Sequence, residues 1–107
     1  MIKSSYVNFS CPTANYFKQS CQFINKVTDY SKKTKVILTE TLNPDLFLLF
    51  GSIELIITKN GSFLSHLSIL GREYGVFIIR IEEKEINFKK IKNIKIIGKD
   101  EICFYDK

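Results

Sequence analysis

The stretch Ile53–Ile81 reads IELIITKNGSFLSHLSILGREYGVFIIRI. The spacing of its apolar residues changes twice, from that of a strand to that of a helix and back. Its first six residues are mostly aliphatic or β-branched and predict a strand. Asn60 and Gly61 follow as a strong turn signal, because both residue types tolerate a positive φ. Across Phe63–Tyr74 the apolar residues recur at helical spacing, and Gly75 stands where a glycine commonly ends a helix. The last six residues predict a further strand.

The segments before this stretch predict one more strand and two helical elements. Lys35–Thr39 is a short β-branched run bounded by polar residues, which is typical of a buried strand. Asn43 is placed as the N-cap of a turn or short helix, with Pro44 at its first helical position. In Asn15–Tyr30 the apolar residues recur at helical spacing and predict an amphipathic helix.

The segments after it predict a charged connection and a hairpin. Glu82–Lys92 is rich in charges and is interpreted as a solvated stretch. Ile94–Ile97 and Ile102–Tyr105 predict two strands joined by a turn at residues 98–100. The alternation of strand and helix predicts an α/β fold, with a partly parallel sheet and flanking helices, in a single domain over residues 1–107.

The composition is that of an ordinary folded domain and argues against specific nucleic-acid recognition. Hydrophobic residues make up 45% and charged residues 25% of the 107 residues, which excludes wholesale disorder. The net charge of +5 is carried almost entirely by lysine, and Arg72 and Arg80 are the only arginines. Arginine supplies the forked contacts of sequence-specific readers, so the charge predicts only weak attraction to polyanions.

The cysteines and the hydropathy pattern predict a cytoplasmic protein. Cys11, Cys21 and Cys103 are odd in number and form no C-x-x-C pair. A disulfide framework needs an even number and structural zinc needs four close ligands, so free thiols and no metal site are expected. No apolar run approaches the roughly 20 residues that span a bilayer. The first residues also lack the apolar region of a signal peptide, so no membrane partner is expected.

His66 is the only histidine, and it falls at or just inside the predicted helix start. Backbone N–H groups there lack intrahelical partners and the helix dipole is positive, so a phosphate beside His66 would be stabilised. The serines around it could donate hydroxyl hydrogens or cap the helix. Because a neutral imidazole is a nucleophile, His66 could accept and release phosphate. The spacing also fits a structural histidine among apolar residues, and both interpretations stay open.

The residues from Ile56 to Val76 resemble the phosphohistidine signature of the swivelling, or mobile, domain of phosphoenolpyruvate-utilising enzymes. The family pattern is I-V-T-x-x-G-G-x-x-S-H-A-A-I-V-A-R-E-x-G-I-P, and this chain reads IITKNGSFLSHLSILGREYGV there. Upstream, Val36–Asp45 resembles the segment of the same domain that ends in T-x-P-D. Downstream, Ile94–Tyr105 resembles its closing strands. The resemblance covers roughly residues 35–105.

The resemblance implies a compact β/β/α swivelling domain that carries phosphate on one histidine. In pyruvate phosphate dikinase, phosphoenolpyruvate synthase and Enzyme I of the sugar phosphotransferase system, this domain moves between a phosphoenolpyruvate/pyruvate barrel and a second reaction centre. By that match His66 is the catalytic carrier, and Gly61 makes the tight turn before it. Ser62, Ser65 and Arg72 complete the implied phosphate-binding set. Arg72 is also favoured by the helix dipole alone, near the C-terminus of the predicted helix.

The chain departs from the family pattern beside the histidine. Ser62 replaces the second glycine of the pair, Leu67 and Ser68 replace the two alanines after His66, and Phe77 replaces the proline. These changes keep open a second interpretation, a non-catalytic interaction module with the same fold. A weak nucleic-acid binder is a third, motivated by the charge.

This chain is not expected to be a complete enzyme. It has no phosphate-cradling G-x-x-x-x-G-K-[ST] loop, and its acids are scattered. We therefore expect a phosphotransferase component of the phosphoenolpyruvate synthase type, a kinase-like transferase that binds no cofactor itself and is either a stand-alone domain or a fragment of a larger enzyme. Its partners would be a phosphoenolpyruvate/pyruvate-binding barrel and nucleotide-binding proteins, which would hold Mg²⁺ and ATP or phosphoenolpyruvate. Phe63, Leu64 and Leu67 are either core residues of the helix or docking residues for such partners.

Overall fold

The computed structural model describes residues 1–9, 18–31 and 33–107, and its seven strands close into a barrel. Around the barrel the strands follow the order β1-β5-β4-β3-β2-β6-β7. One α-helix, α1 (His66–Tyr74), joins β4 to β5, and 3₁₀ helices cover Val27–Asp29, Pro44–Leu49 and Phe88–Lys90. The strands are β1 (Ile2–Asn8), β2 (Gln19–Phe23), β3 (Val36–Thr39), β4 (Leu55–Thr58), β5 (Phe77–Ile81), β6 (Asn93–Ile96) and β7 (Glu101–Tyr105).

The predicted α/β fold with flanking helices is wrong. Strands β2, β3, β4 and β5 are parallel neighbours, but the other four neighbouring pairs are antiparallel and close the sheet on itself. Closure depends on β1, which the sequence analysis did not identify and which pairs with both β5 and β7. One face of a closed sheet becomes the barrel interior, which side chains fill, so helices cannot cover both faces. In the described residues α1 is the only α-helix.

The parallel strands are buried on both faces, which explains their continuous apolar runs. In β3, Val36 and Leu38 point into the barrel, whereas Ile37 joins a second cluster outside it. The second cluster lies under α1 and the 3₁₀ helix Pro44–Leu49, and includes Leu67 from α1. The barrel is therefore the main core, and α1 is fixed to its outer face by a smaller one.

The predicted amphipathic helix over residues 15–30 is wrong where the structure describes it. Residues 15–17 lie outside the described part, and the following residues form β2 and a 3₁₀ helix. Cys21 and Ile24 suggested one helical face, yet Cys21 belongs to the barrel interior and Ile24 to the outer cluster. A short apolar run can match helical spacing by coincidence, and here pairing with β3 determines the conformation.

The interpretation of residues 82–92 as a solvated stretch is also wrong in part. The charged residues are exposed, but Ile86, Phe88 and Ile91 are buried in the barrel core. Phe88 begins a 3₁₀ helix that Asn87 caps by accepting from the Lys89 N–H. The segment thus contributes three apolar side chains to the barrel interior.

The other predicted elements are confirmed, with shifts of a few residues at their ends. β3, β4, β5 and the antiparallel hairpin β6–β7 form where the sequence predicts strands. The Asn43 side chain accepts from the Asp45 N–H and Pro44 begins a 3₁₀ helix, as expected of an N-cap. Gly75 ends α1 in the left-handed region, with φ of 75°.

Two of the three cysteines lie in the described part, and both are free and buried. Burial raises the pKa of the Cys21 thiol to about 12. A thiol in this environment stays protonated near neutral pH, so Cys21 is not a candidate nucleophile. Cys11 lies outside the described residues. None of the helices described is long and apolar enough to cross a membrane.

Candidate functional site

The candidate site is the connection from β4 to α1, residues 59–65, together with the start of the helix. Gly61 has φ of 126°, a conformation that L-residues with side chains rarely adopt. A Cβ atom at this position would lie 2.7 Å from Leu42 Cδ1. The predicted tight turn is therefore present, and the backbone passes close to its neighbour there.

His66 is the first residue of α1, and its side chain is exposed. The next residue, Leu67, points the other way and is 2% exposed in the cluster beneath the helix. The bulk of Leu67 is thus turned into the core and does not cover the imidazole. Phe63 and Leu64, which precede the helix, are 51% and 78% exposed. Of the three apolar residues near the histidine, only Leu67 is a core residue.

A network of serine side chains fixes where α1 begins. Ser65 is the N-cap, and its Oγ accepts from the Ser68 N–H at 3.3 Å and lies 2.7 Å from Ser68 Oγ. The Ser68 hydroxyl, which is fully buried, donates to the Ser62 carbonyl at 2.9 Å. Because a hydroxyl has one hydrogen, Ser65 must donate to Ser68 in this arrangement. The hydroxyl of Ser62 makes no hydrogen bond to any described residue and is the donor that stays available.

Replacing Ser65 by alanine is expected to lower the free energy of unfolding by about 0.5–2 kcal/mol, the usual cost of losing an N-cap. The matched change Ser62→Ala removes an exposed hydroxyl with no described partner, so it should alter stability by less than about 0.5 kcal/mol. Urea unfolding followed by circular dichroism measures both. Equal losses for the two variants would contradict the assignment of Ser65 as the cap.

Arg72 lies one and a half turns along α1, and its guanidinium is engaged by the protein. One terminal nitrogen donates to the Phe9 carbonyl at 2.7 Å and to the Phe63 carbonyl at 3.0 Å. The guanidinium also stacks on the Phe63 ring, 3.9 Å from its centroid. These contacts tie the loop before His66 to the end of β1. In this structure Arg72 links the loop to the end of the first strand, and its place in the implied phosphate-binding set stays a prediction.

The helix N-terminus beside His66 has open backbone donors. The N–H of Ile69 bonds to the Ser65 carbonyl and that of Ser68 to the Ser65 side chain. The N–H groups of His66 and Leu67 make no hydrogen bond within the described part of the chain. Since the helix dipole adds partial positive charge at the same end, an anion beside the imidazole would be stabilised.

The structure thus brings Gly61, Ser62, Ser65 and His66 together on one short connection and places Arg72 behind it. Sequence reasoning missed two cationic residues that reach this connection from β5 and the turn after it. Arg80 donates to the Gly61 carbonyl at 3.1 Å, and Lys84 donates to the Lys59 carbonyl. Nothing in the local sequence signals these contacts, which span 19 and 25 residues. No three metal-binding side chains gather among the residues described.

The fold and site define a small barrel domain with an exposed histidine at the start of its described α-helix. The family model of the PEP-utilising enzyme, mobile domain, matches residues 31–99, nearly two thirds of the chain. The chain therefore belongs to this family, and the predicted resemblance is confirmed. The matched residues include β3, β4, the loop, His66 and α1. None of the curated proteins matches the chain.

Proposed function

We propose that this domain carries a phosphoryl group on His66 between a phosphoenolpyruvate/pyruvate site and a nucleotide or other acceptor site on partner domains. The observation that best supports this is the exposed imidazole at the first position of α1, beside two backbone N–H groups without described partners. Family membership over residues 31–99 adds to it, because the match includes this segment. The domain would act as one component of a phosphotransferase of the synthase or dikinase type.

The chemistry needs one nucleophilic nitrogen on this chain. An imidazole nitrogen of His66 attacks phosphorus, the N–P bond forms, and the P–O bond to the enolate of pyruvate breaks. The enolate then takes a proton from solvent and becomes pyruvate. In the second half, an oxygen of the acceptor attacks phosphorus and the N–P bond breaks, which restores the imidazole.

Stabilisation of the phosphoryl oxygens would come from donors that the fold already holds in place. The N–H groups of His66 and Leu67 and the hydroxyl of Ser62 are the candidates, since the hydroxyls of Ser65 and Ser68 bond to each other and to the backbone. Mg²⁺ and ATP or phosphoenolpyruvate would be held by the partner domains, which bring their own carboxylates and phosphate-binding loops.

The test uses the full chain, labelled phosphoenolpyruvate, Mg²⁺ and the isolated phosphoenolpyruvate-binding barrel of a pyruvate phosphate dikinase. The wild type should gain one acid-labile phosphate per chain, and His66→Ala should gain none. Because His66 is exposed, the variant should unfold at the same temperature as the wild type.

A second phosphoryl donor shows whether a failure of labelling comes from poor docking of the barrel or from an unreactive histidine. Phosphoramidate transfers phosphate to histidine without an enzyme, and His66 is the only histidine. Phosphohistidine from phosphoramidate but not from the barrel would mean that the chosen barrel does not dock. No phosphohistidine with either donor would overturn the proposal.

A non-catalytic interaction module is the second candidate function. It is favoured by the exposed apolar side chains of Phe63 and Leu64 directly before His66. In that case a partner should bind the wild type and His66→Ala equally well, and the barrel should not phosphorylate the domain from phosphoenolpyruvate.

A further inference from the structure

The loop before His66 is held by cationic side chains on alternate carbonyl groups. Each donor comes from a different place in the fold: Arg72 from α1, Arg80 from β5 and Lys84 from the turn that follows β5. The contacts are Lys84 to the Lys59 carbonyl, Arg80 to the Gly61 carbonyl at 3.1 Å, and Arg72 to the Phe63 carbonyl at 3.0 Å.

The two carbonyls in between are engaged as well. The carbonyl of Asn60 accepts from Thr58 Oγ1 at 2.9 Å. The carbonyl of Ser62 accepts from the Ser65 N–H at 3.1 Å and from Ser68 Oγ at 2.9 Å. All five consecutive carbonyls of residues 59–63 are therefore bonded to the protein. A phosphate at the loop would therefore not face an unbonded carbonyl oxygen, whose partial negative charge would repel it.

Because the peptide bond is planar, a hydrogen bond to one carbonyl group also fixes the direction of the next N–H group. In a trans peptide the N–H points opposite to the C=O of the preceding residue. When Arg80 holds the Gly61 carbonyl toward β5, the N–H of Ser62 points away from β5. This N–H has no partner among the described residues, and Ser62 is exposed on the loop that leads to His66.

We propose that Arg80 is a positioning residue for phosphoryl transfer, which orients the Ser62 N–H to donate to the phosphoryl group on His66. This role rests on the proposed function of His66. Arg80 suits it because its own guanidinium is held in place, 3.3 Å from the Glu82 carboxylate and 5.5 Å from the centroid of the Phe9 ring. The carbonyl that Arg80 binds belongs to Gly61, which has a positive φ. The conformation of Gly61 helps to set the direction of the Gly61–Ser62 peptide.

The test compares wild type, Arg80→Met and Arg80→Lys as full-length ¹⁵N-labelled chains, with phosphoramidate as the phosphoryl donor. In the wild type, phosphorylation should shift the amide proton of Ser62 downfield. In Arg80→Met this shift should disappear and the rate of His66 phosphorylation should fall about tenfold, because a well-aimed donor is misplaced. Arg80→Lys keeps the positive charge but replaces the planar guanidinium by a single ammonium group. This variant should therefore recover only part of the rate.

Lys89→Met is the matched control, because it removes one exposed cation whose side chain has no contact with the loop among the described residues, and it should behave as the wild type. An unshifted Ser62 amide in phosphorylated wild type would overturn the role of Arg80, whatever the variants do. The same holds if folded Arg80→Met reacts at the wild-type rate with the wild-type shift. A wild type that forms no phosphohistidine would instead overturn the function of His66, and this role with it.

Discussion

Replacing Phe88 by alanine is expected to lower the free energy of unfolding by about 3–5 kcal/mol, the usual cost of removing a buried aromatic ring. Phe88 is 1% exposed, and its ring centroid lies 5.9 Å from that of Phe104 and 6.4 Å from that of Phe23. Stability of a domain of this size is about 5–15 kcal/mol, so the loss would be a large part of the total. Urea unfolding followed by circular dichroism measures it.

Phe63→Ala is the matched control for this prediction. Phe63 is 51% exposed and its main contact is the Arg72 guanidinium, so its loss should cost no more than about 1 kcal/mol. Similar losses for the two variants would show that residues 82–92 do not contribute to the barrel core. The Phe88 ring also lies 4.8 Å from Lys59 Nζ, so the truncation is expected to loosen the start of the loop before His66.

Residues 82–92 show why composition misled the sequence analysis. Charged side chains dominate the segment, and its apolar residues Ile86, Phe88 and Ile91 follow neither a period of two nor a helical period over enough length to be recognised. Their burial depends on the barrel, whose interior they help to fill. The barrel forms only through contacts distant in sequence, and no local pattern could indicate them.

The error in fold class has its source in β1. Its inward residues include Ser4 and Tyr6, which are buried although they are polar or amphipathic, so the strand lacks an apolar alternation. The Tyr6 hydroxyl donates to the Gly98 carbonyl and Ser4 accepts from the Glu83 N–H, which makes their burial possible. Without β1 the remaining order of strands and helices indicates an open α/β sheet. With β1 paired on both sides, the sheet closes.

The backbone geometry of the connection before His66 was predicted better than the fold because it depends mostly on residues close together in sequence. A turn at Gly61, a cap from one of the serines around His66 and a helix that begins near His66 follow from residue types within a few positions of one another. The sequence could not decide which serine hydroxyl stays free, because that depends on a hydrogen-bond network in three dimensions. It also could not show Arg80 on the Gly61 carbonyl, since that contact is set by the pairing of β5 with β4.

Leu64 and Leu67 lie before and after the candidate carrier in sequence, and we expect their replacement by alanine to affect stability to very different extents. Leu67 is 2% exposed in the cluster beneath α1, so Leu67→Ala should lower the free energy of unfolding by about 2–5 kcal/mol. Leu64 is 78% exposed, so Leu64→Ala should change it by less than about 0.5 kcal/mol. Urea unfolding of the two variants beside the wild type measures both values.

The rates of phosphorylation with the two donors also distinguish the role of Leu64 from that of Leu67. If Leu64 contacts the barrel that donates phosphate, Leu64→Ala should slow labelling from phosphoenolpyruvate and leave the reaction with phosphoramidate unchanged, because the small donor needs no docking surface. Leu67→Ala should slow both reactions, because it loosens the packing of α1, which carries His66 and the open N–H groups at the helix start. Equal labelling of Leu64→Ala and wild type by the barrel would show that this side chain lies outside the docking surface. A stability loss for Leu64→Ala as large as that for Leu67→Ala would contradict the packing of α1 described here.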